Sequence, residues 1–126
     1  MNAKVGRANP SSTFATSLKT ANALGTLIES ADGILKPGGE LIGKADSNAS
    51  IRVISGVMEA AQSYWGRLVA TGAKPILGTG YKGLLMELPN GGTVGFRTIV
   101  SKSSNTIANI DVNIPGLFKG KIKFNP

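Results

Sequence analysis

The side chains best equipped for chemistry lie close together near the C-terminal end: Arg97, Ser101, Lys102, Ser103, Thr106 and Asp111, with Lys82 before them and Lys119, Lys121 and Lys123 after. A guanidinium fork and neighbouring hydroxyls suit phosphate oxygens, and a carboxylate can take or orient a proton. The chain has no histidine and no cysteine. This excludes the Ser-His and Cys-His nucleophile pairs, thiolate chemistry, zinc-cysteine sites and disulfides. Divalent ions acting on phosphodiesters need several clustered carboxylates, and only Glu87 and Asp111 fall in this part of the chain. No metal and no cofactor is therefore expected. One demanding reaction remains open, cleavage of RNA by its own 2′-hydroxyl, because the substrate then supplies the nucleophile. The protein has to move two protons and stabilise charge on the phosphoryl oxygens, a task preorganised cations can carry.

Each candidate has a plainer reading beside the chemical one. Arg97 can grip phosphate or pair with Asp111 across a sheet. The Ser101–Thr106 segment can bind phosphate through hydroxyls and turn amides, or be an ordinary hairpin turn. Asp111 can act as a base or merely orient a cation. Lys119, Lys121 and Lys123 can track a nucleic-acid backbone, with Lys82 as a further RNA contact, or can protect an edge strand from aggregation. The glycine-rich loop Gly78–Gly83 matches neither the dinucleotide fingerprint nor the P-loop, and its first reading is a strand connection.

Strand periodicity is what would bring these residues together. Alternation puts Val94, Phe96, Thr98 and Val100 on one side and Gly95, Arg97, Ile99 and Ser101 on the other. It separates Ala108, Ile110, Val112 and Ile114 from Asn109, Asp111 and Asn113, and Gly120, Ile122 and Phe124 from Lys119, Lys121 and Lys123. Strands are expected at 84–88, 93–101, 106–114 and 119–124. The Asn90-Gly91 step signals a tight hairpin, and a consecutive antiparallel meander is the simplest topology.

Ahead of the meander, Val57, Met58, Ala61, Tyr64, Trp65 and Leu68 recur at helical spacing, predicting a helix from Ser55, as N-cap, to Ala70, stopped by Gly72. Tyr64 and Trp65 could stack nucleobases, but at this spacing they read as core. Ile51–Ile54 is a short strand candidate. The spacing of Phe14, Leu18, Ala21, Leu24, Leu27 and Ile28 predicts another helix, capped by Ser12 and ended at Asp32-Gly33. The 35–50 stretch lacks a period and reads as loop or linker. The expected fold class is α+β, with N-terminal helices packed on a four- to five-stranded antiparallel sheet. Residues 1–48 would be helix and linker or entry-associated sequence, and 49–126 the functional domain.

Fourteen basic residues against seven acidic give a net charge of +7 over 126 residues. Beyond Glu59 the chain has eight basic residues and two acidic ones, an asymmetry pointing to an anionic partner. No signal peptide is expected after Lys4 and Arg7, and no membrane span, since no apolar run is long enough.

Two stretches, IRVISGVMEAAQSYWGRL and GGTVGFRTIVSKSSNTIANIDVNIPGLFKGKIKFNP, carry a family resemblance. Over roughly 49–126 the chain resembles the C-terminal toxin domains of bacterial contact-dependent growth inhibition proteins and related polymorphic toxins. Within that group it looks most like the ribonucleases of barnase/EndoU/colicin/RelE type. The resemblance implies a helix followed by an antiparallel sheet bearing the active site, and carries catalytic roles to Arg97, Ser101, Lys102, Ser103, Thr106 and Asp111. It implies a metal-independent endoribonuclease that cuts tRNA or another structured RNA, leaves a 2′,3′-cyclic phosphate and is blocked by a cognate immunity protein. The domain would be delivered as the tail of a larger secreted effector and act in the target cell's cytoplasm. Some members use histidine for proton transfer, a mechanism closed to this chain. A non-catalytic basic nucleic-acid-binding module and a secreted β-rich interaction module stand as alternatives.

Overall fold

The computed structural model describes residues 19–21, 27–98 and 105–126. Its elements run β1 (Lys19–Ala21), β2 (Leu27–Glu29), α1 (Ala31–Leu35), a 3-10 turn (Pro37–Gly39), β3 (Lys44–Ala45), β4 (Ile51–Ser55) and α2 (Met58–Val69). After α2 come β5 (Lys74–Pro75), β6 (Leu84–Glu87), β7 (Thr93–Arg97), β8 (Ala108–Ile114) and β9 (Phe118–Asn125). β3 to β9 form one seven-stranded sheet in the order β3-β4-β9-β8-β7-β6-β5, while β1 and β2 pair separately.

The meander β6-β7-β8-β9 is antiparallel throughout and sits where alternation and turn chemistry put it. Its first hairpin closes with Leu88 N donating to Gly92 O at 3.0 Å, and Gly91 and Gly92 both take positive φ. That conformation is cheap only for glycine. The sheet as a whole departs from the expected antiparallel form of four or five strands. β9 also pairs with β4, in parallel, from Lys121↔Ile51 to Asn125↔Ser55, which makes the sheet mixed. Periodicity assigns a strand its two faces but says nothing of its partner, so a short run such as Ile51–Ser55 leaves the pairing open.

One sheet face carries α2. Leu68, Ala61, Tyr64 and Trp65 pack on Val94, Ile110, Ile122 and Phe124 in a core that also takes Ile34 and Leu35 from α1. Trp65 stacks on Phe96 with centroids 5.5 Å apart, and Tyr64 meets Phe124 at 6.0 Å. The buried Tyr64 hydroxyl donates to Ile34 O at 2.8 Å, which satisfies the one polar atom on that side chain and ties α1 to α2. Both aromatics are therefore core residues.

The helix begins later than expected. Ser55 is the last residue of β4, Val57 takes the N-cap position without a side-chain hydrogen bond, and Gly72 at φ +106° ends the turn beyond Ala70. Glu59 in the first turn and Arg67 in the last complement the helix dipole.

The helix expected in the N-terminal part is corrected. Where the predicted helix reaches described residues, Lys19–Ala21 and Leu27–Glu29 are paired strands; Phe14, Leu18 and Leu24 lie outside the described residues. Gly25 and the β-branched Thr20, Thr26 and Ile28 all disfavour helix, and this outweighs the apolar spacing. Asp32-Gly33 sits inside α1 rather than ending a helix; Ser30 caps α1, its Oγ accepting from Gly33 N at 3.2 Å. The stretch read as linker supplies Leu35 to the core and adds β3 to the sheet edge. Arg52 holds it by donating to the carbonyls of Ile42, Gly43 and Ala49.

Candidate functional site

The sheet face away from α2 is where the charged residues collect. Register sets them in rows, since laterally paired residues point to the same side. One row is Leu85, Gly95, Asp111, Lys121 and Ile51; the next is Arg97, Asn109, Lys123, Val53 and Lys44; a third is Glu87, Thr93, Asn113 and Lys119. These residues therefore share the side of the meander away from α2, with Asp111 near the middle and Asn109 and Gly95 buried beside it.

Asp111 is a hub. Its Oδ2 accepts from Tyr81 Oη at 2.7 Å and Arg97 Nε at 2.7 Å, and its Oδ1 accepts from Arg97 Nη2 at 3.3 Å and Asn109 Nδ2 at 2.9 Å. Four donors fill the acceptor capacity of a carboxylate. Arg97 reaches Asp111 on the diagonal, because its direct neighbour on β8 is Asn109. Tyr81 comes from the Gly78–Gly83 loop and lies over Gly95, where an added Cβ would strike the phenol ring and hydroxyl. The missing side chain at Gly95 opens the space through which Tyr81 meets Asp111. Gly83 does the same for the loop's return, since a Cβ there would strike Phe96 O and approach Arg97 Cγ.

Electrostatics follow from this geometry. Burial alone would push the Asp111 carboxyl up, but the hydrogen bonds from Arg97 and Tyr81 and the Arg97 charge together hold it below the usual carboxylate range. The hydrogen bond to Asp111 raises the Arg97 guanidinium further. Burial first, and then the bond to Asp111, pushes the Tyr81 phenol well above its ordinary range. At neutral pH the cluster is an ionised carboxylate, a guanidinium and a neutral phenol. The Arg97 and Asp111 side chains retain 26% and 31% exposure, so both stay partly open to solvent. Asp111 uses only the Nε and Nη2 side of the fork, and Nη1 has no hydrogen-bond partner among the described residues.

The ion-pair alternative for Arg97 is therefore realised. A carboxylate with its acceptor positions filled and its pKa lowered is well suited to orienting the guanidinium. Thr106 is placed apart from this cluster, buried beyond the start of β8 with its hydroxyl donated to Asn125 Oδ1 at 2.8 Å. Ser101, Lys102 and Ser103 lie outside the described residues. Lys82 is exposed in the loop beside Tyr81. Lys123 lies 3.7 Å from Asp46, while Lys82, Lys119 and Lys121 form no ion pair among the described residues. β9 is interior to the sheet, paired with β4 on one side and β8 on the other, so edge protection does not account for its lysines.

Sequence reasoning missed Tyr81 and Asn109. Asn109 was visible as a polar residue beside Asp111 on the same face. Tyr81 sits in a loop without a period, and the signal for it was indirect: a glycine inside a strand marks close approach by another group.

Elsewhere, a cavity of about 470 Å³ lies between the Leu88–Gly91 and Ile114–Leu117 turns and the Glu29–Asp32 segment, sharing no residue with the cluster. Among the described residues no three carboxylates gather as a metal site would require, and no helix is long and apolar enough to cross a membrane. No family model, curated protein or solved structure matches the chain.

Proposed function

We propose that this chain is a metal-independent endoribonuclease that cuts tRNA or another structured RNA by attack of the 2′-hydroxyl on the adjacent phosphate. In this reading it is the toxin domain of a larger secreted effector, acts in the cytoplasm of a competing bacterium and is neutralised by a cognate immunity protein.

The observation that carries the reading is the half-used Arg97 guanidinium on a basic sheet face. Asp111 fixes the fork along one edge, and Nη1 remains to meet the non-bridging oxygens of a scissile phosphate. A cation held in place before substrate arrives stabilises developing charge without reorganising. Asp111 and Asn109 position Arg97, and Tyr81 completes the carboxylate's shell. Lys121, in register with Asp111, adds positive charge beside the phosphate. Lys102, Ser101 and Ser103 keep the roles the resemblance implies, as groups following β7 that would handle protons and phosphate oxygens.

The test is incubation of the purified chain with total tRNA in excess chelator, with product ends analysed for 2′,3′-cyclic phosphate. Cleavage is expected, and Arg97→Lys should reduce it strongly, because a point charge cannot hold carboxylate and phosphate together as the planar fork does. RNA left intact across pH and salt conditions would reject the enzyme. One observation favours a second reading, a non-catalytic nucleic-acid-binding module: the acid in the cluster is saturated and poorly basic. Intact RNA that is nevertheless bound would select it.

A further inference from the structure

We infer that β9 is a ladder for a single extended RNA strand, with Lys119, Lys121 and Lys123 each meeting one of three consecutive phosphates. The inference rests on the reading of this face as RNA-binding and specifies which form of RNA it takes.

The placement of the lysines is the first argument. They occupy alternate positions of one strand on one face, so their Cα atoms stand about 6.6–6.8 Å apart, twice the rise per strand residue. Adjacent phosphates of an extended single strand repeat at much the same distance. Like charges held in a row repel one another, and the nearest carboxylates do little to offset them. Asp111 is saturated by Arg97, Tyr81 and Asn109, and Asp46 touches only Lys123. Since β9 is interior, the row has no edge to protect.

What flanks the row is the second argument. On the β4 side, Ile51 lies beside Lys121 and Val53 beside Lys123. Both are half-buried, and neither belongs to the core or to the apolar residues packed against it. Two aliphatic side chains next to a line of cations suit sugars and bases turned aside from their phosphates, without selecting a sequence. On the other side, Asp111 and the Tyr81 loop rise over β7 and β8. Among the described residues, the lane left between them covers β9 and β4, one strand spacing of about 4.8 Å between their axes. That accommodates one backbone. A duplex, whose phosphates follow a curved groove edge, would touch a straight row at only one or two points.

Binding can be measured apart from cleavage with fluorescein-labelled 2′-O-methyl oligonucleotides, which lack the attacking hydroxyl. Fluorescence anisotropy should show tighter binding of an unstructured octanucleotide than of a blunt duplex of equal length. Each Lys→Gln change on the ladder should lower the slope of log K against log salt by about 0.7, and the triple variant by about 2. A single methylphosphonate, which neutralises one phosphate, should weaken binding to the wild type but not to the variant lacking the facing lysine. Thermal melts of the variants, expected close to wild type, show that the fold is kept. Equal or tighter duplex binding, or a salt slope unmoved in the folded triple variant, would overturn the ladder. So would loss of affinity for anionic phospholipid vesicles with RNA binding intact, which would assign the row to a lipid surface. Loss of the nuclease reading looks different: tRNA stays whole while the octanucleotide binds with the predicted slope.

Discussion

The two faces of this sheet are built by the same strands and organised in opposite ways. Toward α2, Val94, Ile110, Ile122 and Phe124 pack on Leu68 and Trp65 in contacts that depend on volume and burial. Away from α2, the residues between them spend their interactions on a single carboxylate, with defined donors and distances. Burial tolerates rearrangement among apolar groups of similar size, whereas hydrogen bonds to one acceptor do not. The contrast assigns stability to the first face and, on the proposed reading, binding to the second.

Four substitutions would break or sharpen that division, in decreasing order of expected effect on stability. Phe124→Ala empties the covered face at a fully buried ring and should cost about 3–5 kcal/mol in urea unfolding. RNA affinity of the remaining folded protein should change little, and a parallel loss of affinity would blur the division. Gly95→Ala acts on the outer face alone: its Cβ drives Tyr81 off Asp111, at about 1–3 kcal/mol by the same measurement. It should reduce cleavage of tRNA far more than Phe124→Ala does under conditions where both are folded.

Asp111→Asn should cost on the order of 1 kcal/mol, the value for a bidentate pair discounted for its exposure. It also has a pH signature. The folded-state pKa of Asp111 lies below the unfolded value, so its contribution is complete above the ordinary carboxylate range and fades as pH falls through the folded pKa. Unfolding free energies measured from about pH 5 downward should therefore fall less steeply in Asp111→Asn than in wild type. An unchanged slope would mean that the pair contributes nothing to the fold. Tyr81→Phe keeps the ring over Gly95 and removes one donor, at about 0.5–1.5 kcal/mol. An NMR titration of the Asp111 carboxyl should move up toward its ordinary value, since one of the bonds holding it down is gone.

The same two faces explain what could be read from the chain before its fold was known. Period-two alternation in Val94–Arg97, Ala108–Ile114 and Lys119–Phe124 identified the outer face and put Arg97 and Asp111 on it together. The Asn90-Gly91 turn fixed the first hairpin in place. Thr106, whose hydroxyl donates to Asn125, shows that a hydroxyl near a turn looks the same in the sequence whether it faces a ligand or a neighbouring side chain. Tyr81 escaped because loops carry no period and its partner lies thirty residues away along the chain. The β4–β9 pairing escaped for a similar reason: side-chain alternation is local, and strand partnership is not. In place of the helix expected around Lys19–Glu29 there are paired strands, because β-branching and glycine outweigh the apolar spacing there.

That β4–β9 pairing also bears on how the chain folds. Ile51 cannot find Lys121 until α2 and four further strands have been accommodated between them, so this seam is among the most sequence-distant contacts between the described strands. High contact order slows folding, because loop-closure entropy is lost before the pairing repays it. The β6-β7-β8-β9 meander can form from local hairpins, but the outer face is not complete until β4 pairs along the free edge of β9. If the meander forms first, the Tyr81, Arg97 and Asp111 cluster has its lysines before Ile51 and Val53 arrive beside them, and refolding followed by RNA binding should lag behind refolding followed by Trp65 fluorescence.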